Sequence, residues 1–176
     1  MRARFSRSRG LPVLDEETGE TIGTISGMVL NPDTGVVEGF FVRAAGFFHR
    51  ENLFLHSLDI LHWGLRLTVR HQDVLSPMED LVRLQSLIAS QRPILGQRMV
   101  TESGRVLGRC SDVQFSTRDF RLEWLFPRRF FRLGIPVPAS QILEVRREAI
   151  VSRDTVLPSK EKQENVSLLP QMPEAV

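Results

Sequence analysis

The chain has no tyrosine, one cysteine and very little lysine. The single thiol, Cys110, excludes an intramolecular disulfide and a cysteine-rich metal site. It reads as a small buried hydrophobe rather than a reactive thiol. Lys160 and Lys162 are the only lysines, so nearly all the positive charge is arginine. Arginine suits bidentate contacts with phosphate or carboxylate, although a coding bias produces the same excess. No apolar run approaches the roughly 18 residues of a membrane span. There is no G-x-S-x-G, no phosphate-binding loop, no dinucleotide fingerprint and no H-E-x-x-H. The catalytic classes that these motifs mark are therefore excluded as a reading.

What is present is ordinary for a globular protein: 176 residues, 41% hydrophobic and 25% charged, with a formal net charge of +2. That small net charge hides an uneven distribution. Residues 1–9 hold four arginines and no acid, and residues 10–70 hold four arginines against eight acids. Residues 96–153 hold eleven arginines against six acids. Such asymmetry suggests an anionic partner for the basic half, or attraction between the halves. Solvated faces of opposite sign with no partner account for it equally well.

The chain is organised around a duplicated stretch. GLPVLDEETGETIGTISGMVLNPDTGVVEGFFV begins at Gly10, and GQRMVTESGRVLGRCSDVQFSTRDFRLEWLF begins at Gly96. With one residue dropped near Thr18, Gly10 falls on Gly96, Gly19 on Gly104, Gly23 on Gly108, Ile25 on Cys110 and Ser26 on Ser111. The apolar positions shared by both copies, Ile22/Leu107, Ile25/Cys110, Met28/Val113 and Leu30/Phe115, are spaced 3, 3 and 2. A regular strand alternates with period 2, so this spacing predicts a coiled strand with a bulge. Turn sequences DEETGE and NPDTG, then VVEGFFV, LFLHSLDILHW and LRLTV, read as short strands of a small barrel or sandwich. Ser76 and Pro77 look like the start of a helix, with Leu81, Leu84, Leu87 and Ile88 as its apolar stripe.

These residues carry a resemblance. Each copy resembles a PRC-barrel domain, through the opening Gly10–Val13, the turn glycine Gly19, the run Gly23–Gly27, the Asp33–Gly35 turn and the later Leu58–Leu61. In the second copy the same pattern is Gly96–Met99, Gly104, Gly108–Asp112 and Ser140–Leu143. Two departures stand out: Phe120 replaces Gly35, and Asp112 stands where the first copy has Gly27. The resemblance implies an all-β fold of two tandem small β-barrels joined by a short helix. The expected division is a flexible basic N-terminus (1–9), a first barrel (10–72), a helical linker (73–93), a second barrel (94–153) and a disordered tail (154–176). Members of the family include the cytoplasmic domain of the photosynthetic reaction-centre H subunit and the C-terminal domain of a ribosome-maturation factor. Their shared use of the barrel is docking on other macromolecules, not catalysis.

The residues agree with a non-enzymatic role. Asp15, Glu16 and Glu17 cluster in a turn. His49, His56, His62 and His71 show no ligand spacing, and no cofactor or metal is expected. The recurring feature that points to binding is a phenylalanine pair beside basic residues at the same place in both copies. In the first copy it is Phe47, Phe48 and Arg50; in the second it is Arg128, Arg129, Phe130, Phe131 and Arg132. The competing reading is that one ring of each pair plugs its barrel end or packs between the copies. Three partner classes follow for a cytoplasmic protein: a protein assembly first, RNA or the ribosome second, and an anionic membrane surface or membrane complex third. A homo-oligomer stays open.

Overall fold

The computed structural model describes residues 1–45, 52–77 and 81–154, with only the backbone at Asn52 and Arg83. It is mostly strand. β1 (Arg2–Arg4) and one helical turn, α1 (Phe5–Ser8), come first. The first repeat contributes β2 (Pro12–Asp15), β3 (Thr21–Leu30), β4 (Val37–Ala44), β5 (Asn52–His56), β6 (Ile60–Trp63), β7 (Leu67–Val69) and β8 (Leu75–Pro77). After α2 (Val82–Ala89) the second repeat contributes β9 (Arg98–Thr101), β10 (Val106–Ser116), β11 (Leu122–Arg129) and β12 (Arg132–Leu133). It ends with β13 (Val137–Pro138), β14 (Ile142–Val145) and β15 (Ala149–Ser152).

The two sheets repeat one topology. Strand order is β6-β7-β2-β3-β4-β5-β8 in one and β12-β11-β10-β9-β15-β14 in the other, with β13 on β11 and β1 on β10. In each, one pair is parallel: β2 with β7, and β9 with β15. The bulge lies at the same point in both. Register slips between Ile25 and Gly27, and between Cys110 and Asp112. Ser26 and Ser111 sit in these slips, and their hydroxyls donate to the carbonyls of Phe41 and Phe126 at 3.2 and 2.9 Å. A strand that slips by one residue reverses its faces, which is why the apolar spacing reads 3, 3, 2. Gly23 and Gly108 lie where the strands crowd. A Cβ on either would meet the carbonyl oxygen of Arg43 or of Arg128 at 2.6 Å.

Each repeat is a curled sheet, a half-barrel, and the two share one core. A sheet of this size closes off little apolar surface alone. A single cluster of buried residues accordingly runs from Val13, Ile25, Phe40 and Leu67 of the first repeat to Met99, Cys110, Phe115 and Ile150 of the second. The contact is two-fold in kind. The Val37 amide donates to the Phe120 carbonyl at 2.7 Å, and the Leu122 amide donates to the Gly35 carbonyl at 2.8 Å. Gly35 and Phe120 are equivalent positions of the repeat, as are Val37 and Leu122, so the two bonds exchange under an internal dyad. Both turn residues have positive φ, 67° at Gly35 and 51° at Phe120. A non-glycine residue there carries about 1 kcal/mol or more of strain. The Phe120 ring offsets it by entering a cluster with Phe40, Trp63 and Phe115, every pair having centroids between 5.1 and 6.4 Å. Burying one such ring contributes about 1.5–3 kcal/mol, with about 0.5–1.5 more for each well-placed aromatic pair.

Two expectations fail. Residues 1–9 are not a flexible tail. β1 pairs antiparallel with β10 from Arg2↔Ser116 to Arg4↔Gln114. The Ser6 amide and hydroxyl both donate to the Asp112 carboxylate, at 2.9 and 2.6 Å. Arg4 lies 3.8 Å over the Phe126 ring, and Arg2 pairs with Glu123 at 2.8 Å. Asp112, the departure from Gly27, is thus the acceptor that holds this segment. The second failure concerns Ser76 and Pro77, which extend β8 along β5 instead of capping a helix. α2 starts later, and Leu81 just before it and Leu84 within it are buried against Val29 and Phe54. Ile88 stays 45% exposed. The tail beyond Asp154, expected to be disordered, lies outside the described residues.

Because the core is shared, both repeats should unfold in one transition. Phe120→Ala should cost about 3–5 kcal/mol, as core aromatics do, in urea denaturation followed by far- and near-ultraviolet circular dichroism together. Two separated transitions, or a loss below about 1 kcal/mol, would remove the aromatic cluster from its role.

Candidate functional site

β11 and β12 form a hairpin joined by a turn of two residues, Phe130 and Phe131. Arg129 faces Arg132 across the ladder, and Arg128 faces Leu133. Neither ring finds a place in the core: Phe130 is 85% and Phe131 92% exposed. Leu133 and Ile135 just beyond are exposed too, and with Val106, Leu107 and Pro127 they line a shallow apolar depression. The reading in which one phenylalanine plugs the barrel end or packs between repeats therefore fails for this pair. The inter-repeat rings are those of Phe40, Trp63, Phe115 and Phe120. Phe47, Phe48 and Arg50, the matching candidates in the first repeat, lie outside the described residues.

Physical costs collect at this hairpin. Phe130 has φ 53°. Two-residue hairpin turns need such geometry and commonly take Asn or Gly there. At Phe120 the same strain is offset by burial of the ring; at Phe130 it is not. Arg129 opposite Arg132 places like charges directly across a strand pair, which is destabilising. Among the described residues, Arg128, Arg129 and Arg132 enter none of the ion pairs. Strain without local compensation points to a functional position. Leu133 and Ile135 were not singled out by sequence reasoning; their alternation after the Phe pair is the signal that was there to read.

Elsewhere several titratable groups have structural uses. Asp15 is buried, and burial by itself would raise its pKa. The amides of Thr18, Gln72 and Glu17 outweigh that and hold it below the usual carboxylate value. Thr101 occupies the equivalent place in the second repeat and accepts the Arg105 amide there. The acidic turn is thus a pair of loop clasps. Asp33 is held low by its hydrogen bond to Arg92, with both oxygens engaged at 2.6 Å, tying the NPDTG turn to the chain after α2. His71 caps the turn that follows it by accepting from the Asp73 amide. Burial pushes the Cys110 thiol up to about 12, far from the range of a reactive thiolate. Among the described residues no three His, Cys, Asp or Glu side chains are grouped as a metal site. No helix among them is long and apolar enough to cross a membrane.

A carboxylate with a lowered folded-state pKa stabilises the fold above its unfolded value, and that contribution is lost as pH falls through the folded value. Asp15 should therefore contribute to stability fully at neutral pH and lose that contribution as pH drops below about 4. Asp15→Asn should lower the melting temperature at pH 7 and flatten the acid limb of the stability profile. An unchanged acid limb would show that the clasp is not what titrates.

Comparison with known proteins bears on the first repeat. No curated protein matches the chain. Residues 2–85, which take in β1, the whole first-repeat sheet and the start of α2, match the model of the PRC-barrel domain family.

Proposed function

We propose that this protein is a non-enzymatic docking module, built from two PRC-barrel repeats, that attaches to a larger assembly through the β11–β12 hairpin. The second repeat is assigned to the same family because it repeats the first in strand order, parallel pair and bulge. The observation that carries the function is the Phe130–Phe131 turn. It exposes two aromatic rings at a strained position between arginines that face each other and enter no ion pair among the described residues. An apolar anchor with a cationic rim is a common composition for an interface centre. Asp15, Asp33 and His71 are engaged in turns and clasps, whereas the hairpin combines exposed rings with arginines that enter no ion pair among the described residues.

Phe130→Ala/Phe131→Ala should leave stability within about 0.5 kcal/mol, because both rings are solvated in the free protein. The same variant should lose capture of the native partner from whole extract, membranes included. Capture by the variant equal to that of the wild type would place the docking surface elsewhere.

A further inference from the structure

Strand register extends the hairpin into a larger pattern. Arg98 on β9 pairs with Arg109 on β10, and Arg109 pairs with Arg128 on β11. Three arginines therefore stand side by side across three adjacent strands, about 5 Å apart from strand to strand. All three are exposed, while Met99, Cys110 and Pro127 next to them are buried, so the row lies on the outer face. None enters an ion pair among the described residues. Arg109 donates to the Gly96 carbonyl at 3.0 Å. In the first repeat the same row reads Pro12, Thr24 and Arg43. The arginine row is thus a property of the second repeat and not of the fold.

Three levels follow from the ladder. Phe130 and Phe131 form the tip. Arg129 and Arg132 lie one residue back, and Arg128, Arg109 and Arg98 lie two residues back. At about 3.3 Å per residue, the cationic levels sit roughly 3 and 7 Å behind the apolar tip. An interfacial anchor buries its apolar part about 5–10 Å into the boundary between headgroups and acyl chains. The phosphates there meet the cations behind it. Leu133, level with Arg128, and Ile135 beyond it add exposed aliphatic surface beside the cationic levels, and aliphatic side chains favour hydrocarbon and cannot stack on bases. Asp154 interacts with Arg105 at the rim of the depression and moderates the field there.

We propose that the Phe130–Phe131 tip and the Arg98–Arg109–Arg128 row form a peripheral membrane anchor that seats the second repeat on an anionic bilayer. This rests on the docking reading above and names its partner: the phosphate-bearing surface of a lipid membrane. The rings enter the interface, and five arginines on two levels engage the headgroup phosphates. Attraction to the surface fades within a Debye length and is screened by salt.

The test is co-sedimentation of the full chain with vesicles. One set is phosphatidylcholine alone, the other phosphatidylcholine and phosphatidylglycerol in equal parts. The wild type should partition onto the anionic vesicles only, and less as salt rises. Replacing the row (Arg98→Thr, Arg109→Thr, Arg128→Thr) should reduce partitioning by about fivefold for each arginine. Phe130→Ala/Phe131→Ala should reduce it by about tenfold or more. Melting curves accompany each variant, and the wild-type salt series stands without any variant. Three results would each overturn the anchor: no binding to anionic vesicles, equal binding to both sets, or wild-type partitioning by the folded row variant. Single-stranded RNA bound through the same arginines by a protein that shows no binding to anionic vesicles would assign the row to nucleic acid and overturn it as well. If vesicle binding fails but Phe130→Ala/Phe131→Ala still abolishes capture from extract, docking holds and the lipid assignment falls. If capture is also unaffected, both fall.

Discussion

Everything in this structure depends on the exchange of two backbone hydrogen bonds across the internal dyad, with four aromatic rings packed beside it. A half-barrel of about 60 residues exposes too much apolar surface to stand alone. Pairing two of them face to face lets one cluster of side chains serve both. The bonds between Val37 and Phe120 and between Leu122 and Gly35 fix the two sheets in register. The rings of Phe40, Trp63, Phe115 and Phe120 fill the space that this register leaves. A duplication is well suited to such an interface. An isologous contact needs only one self-complementary patch, and tandem copies hold it at high effective concentration.

The same dyad explains where the flanking segments go. The segment before the first repeat lies on the second repeat's β10, and α2, which precedes the second repeat, packs on the first repeat's sheet. Each segment covers the sheet of the other repeat. The linkage is reinforced by charge: Ser6 on Asp112 at one end and Arg92 on Asp33 at the other. The basic N-terminus therefore spends at least part of its charge inside the molecule, on Glu123 and over Phe126.

What could be read in the sequence was whatever both copies repeat. The buried pair Ile25 and Cys110, the bulge serines and the turn glycines gave the strands and their kink, because identical constraints recur at identical offsets. What could not be read were contacts made once. β1 pairs with residues more than a hundred positions away, and three residues carry no periodicity to announce that. Ser76 and Pro77 have good helix-capping chemistry, yet the open edge of β5 takes them into a strand. Tertiary pairing outweighs a local cap worth about 1 kcal/mol. At the hairpin, composition showed Phe beside Arg, but only the register shows that arginines stack across three strands.

The departures between the two copies sort by the direction in which they face. Phe120 for Gly35 and Asp112 for Gly27 point inward, and both join parts of the molecule to one another. Arg98 for Pro12 and Arg109 for Thr24 point outward and enter no ion pair among the described residues, Arg109 donating only to the nearby Gly96 carbonyl. Inward differences break the symmetry of a two-fold interface and are tolerated because each brings its own partner. Outward differences gain no opposite charge among the described residues, and a row of like charges on neighbouring strands is a standing cost to the fold. Substituting any member of such a row with a neutral β-former would relieve that cost. The first repeat shows that the fold accepts Pro and Thr at those places. The exposed hairpin tip beside the arginines gathers apolar and cationic side chains at one end of the second repeat, and it is on this arrangement that the docking proposal rests.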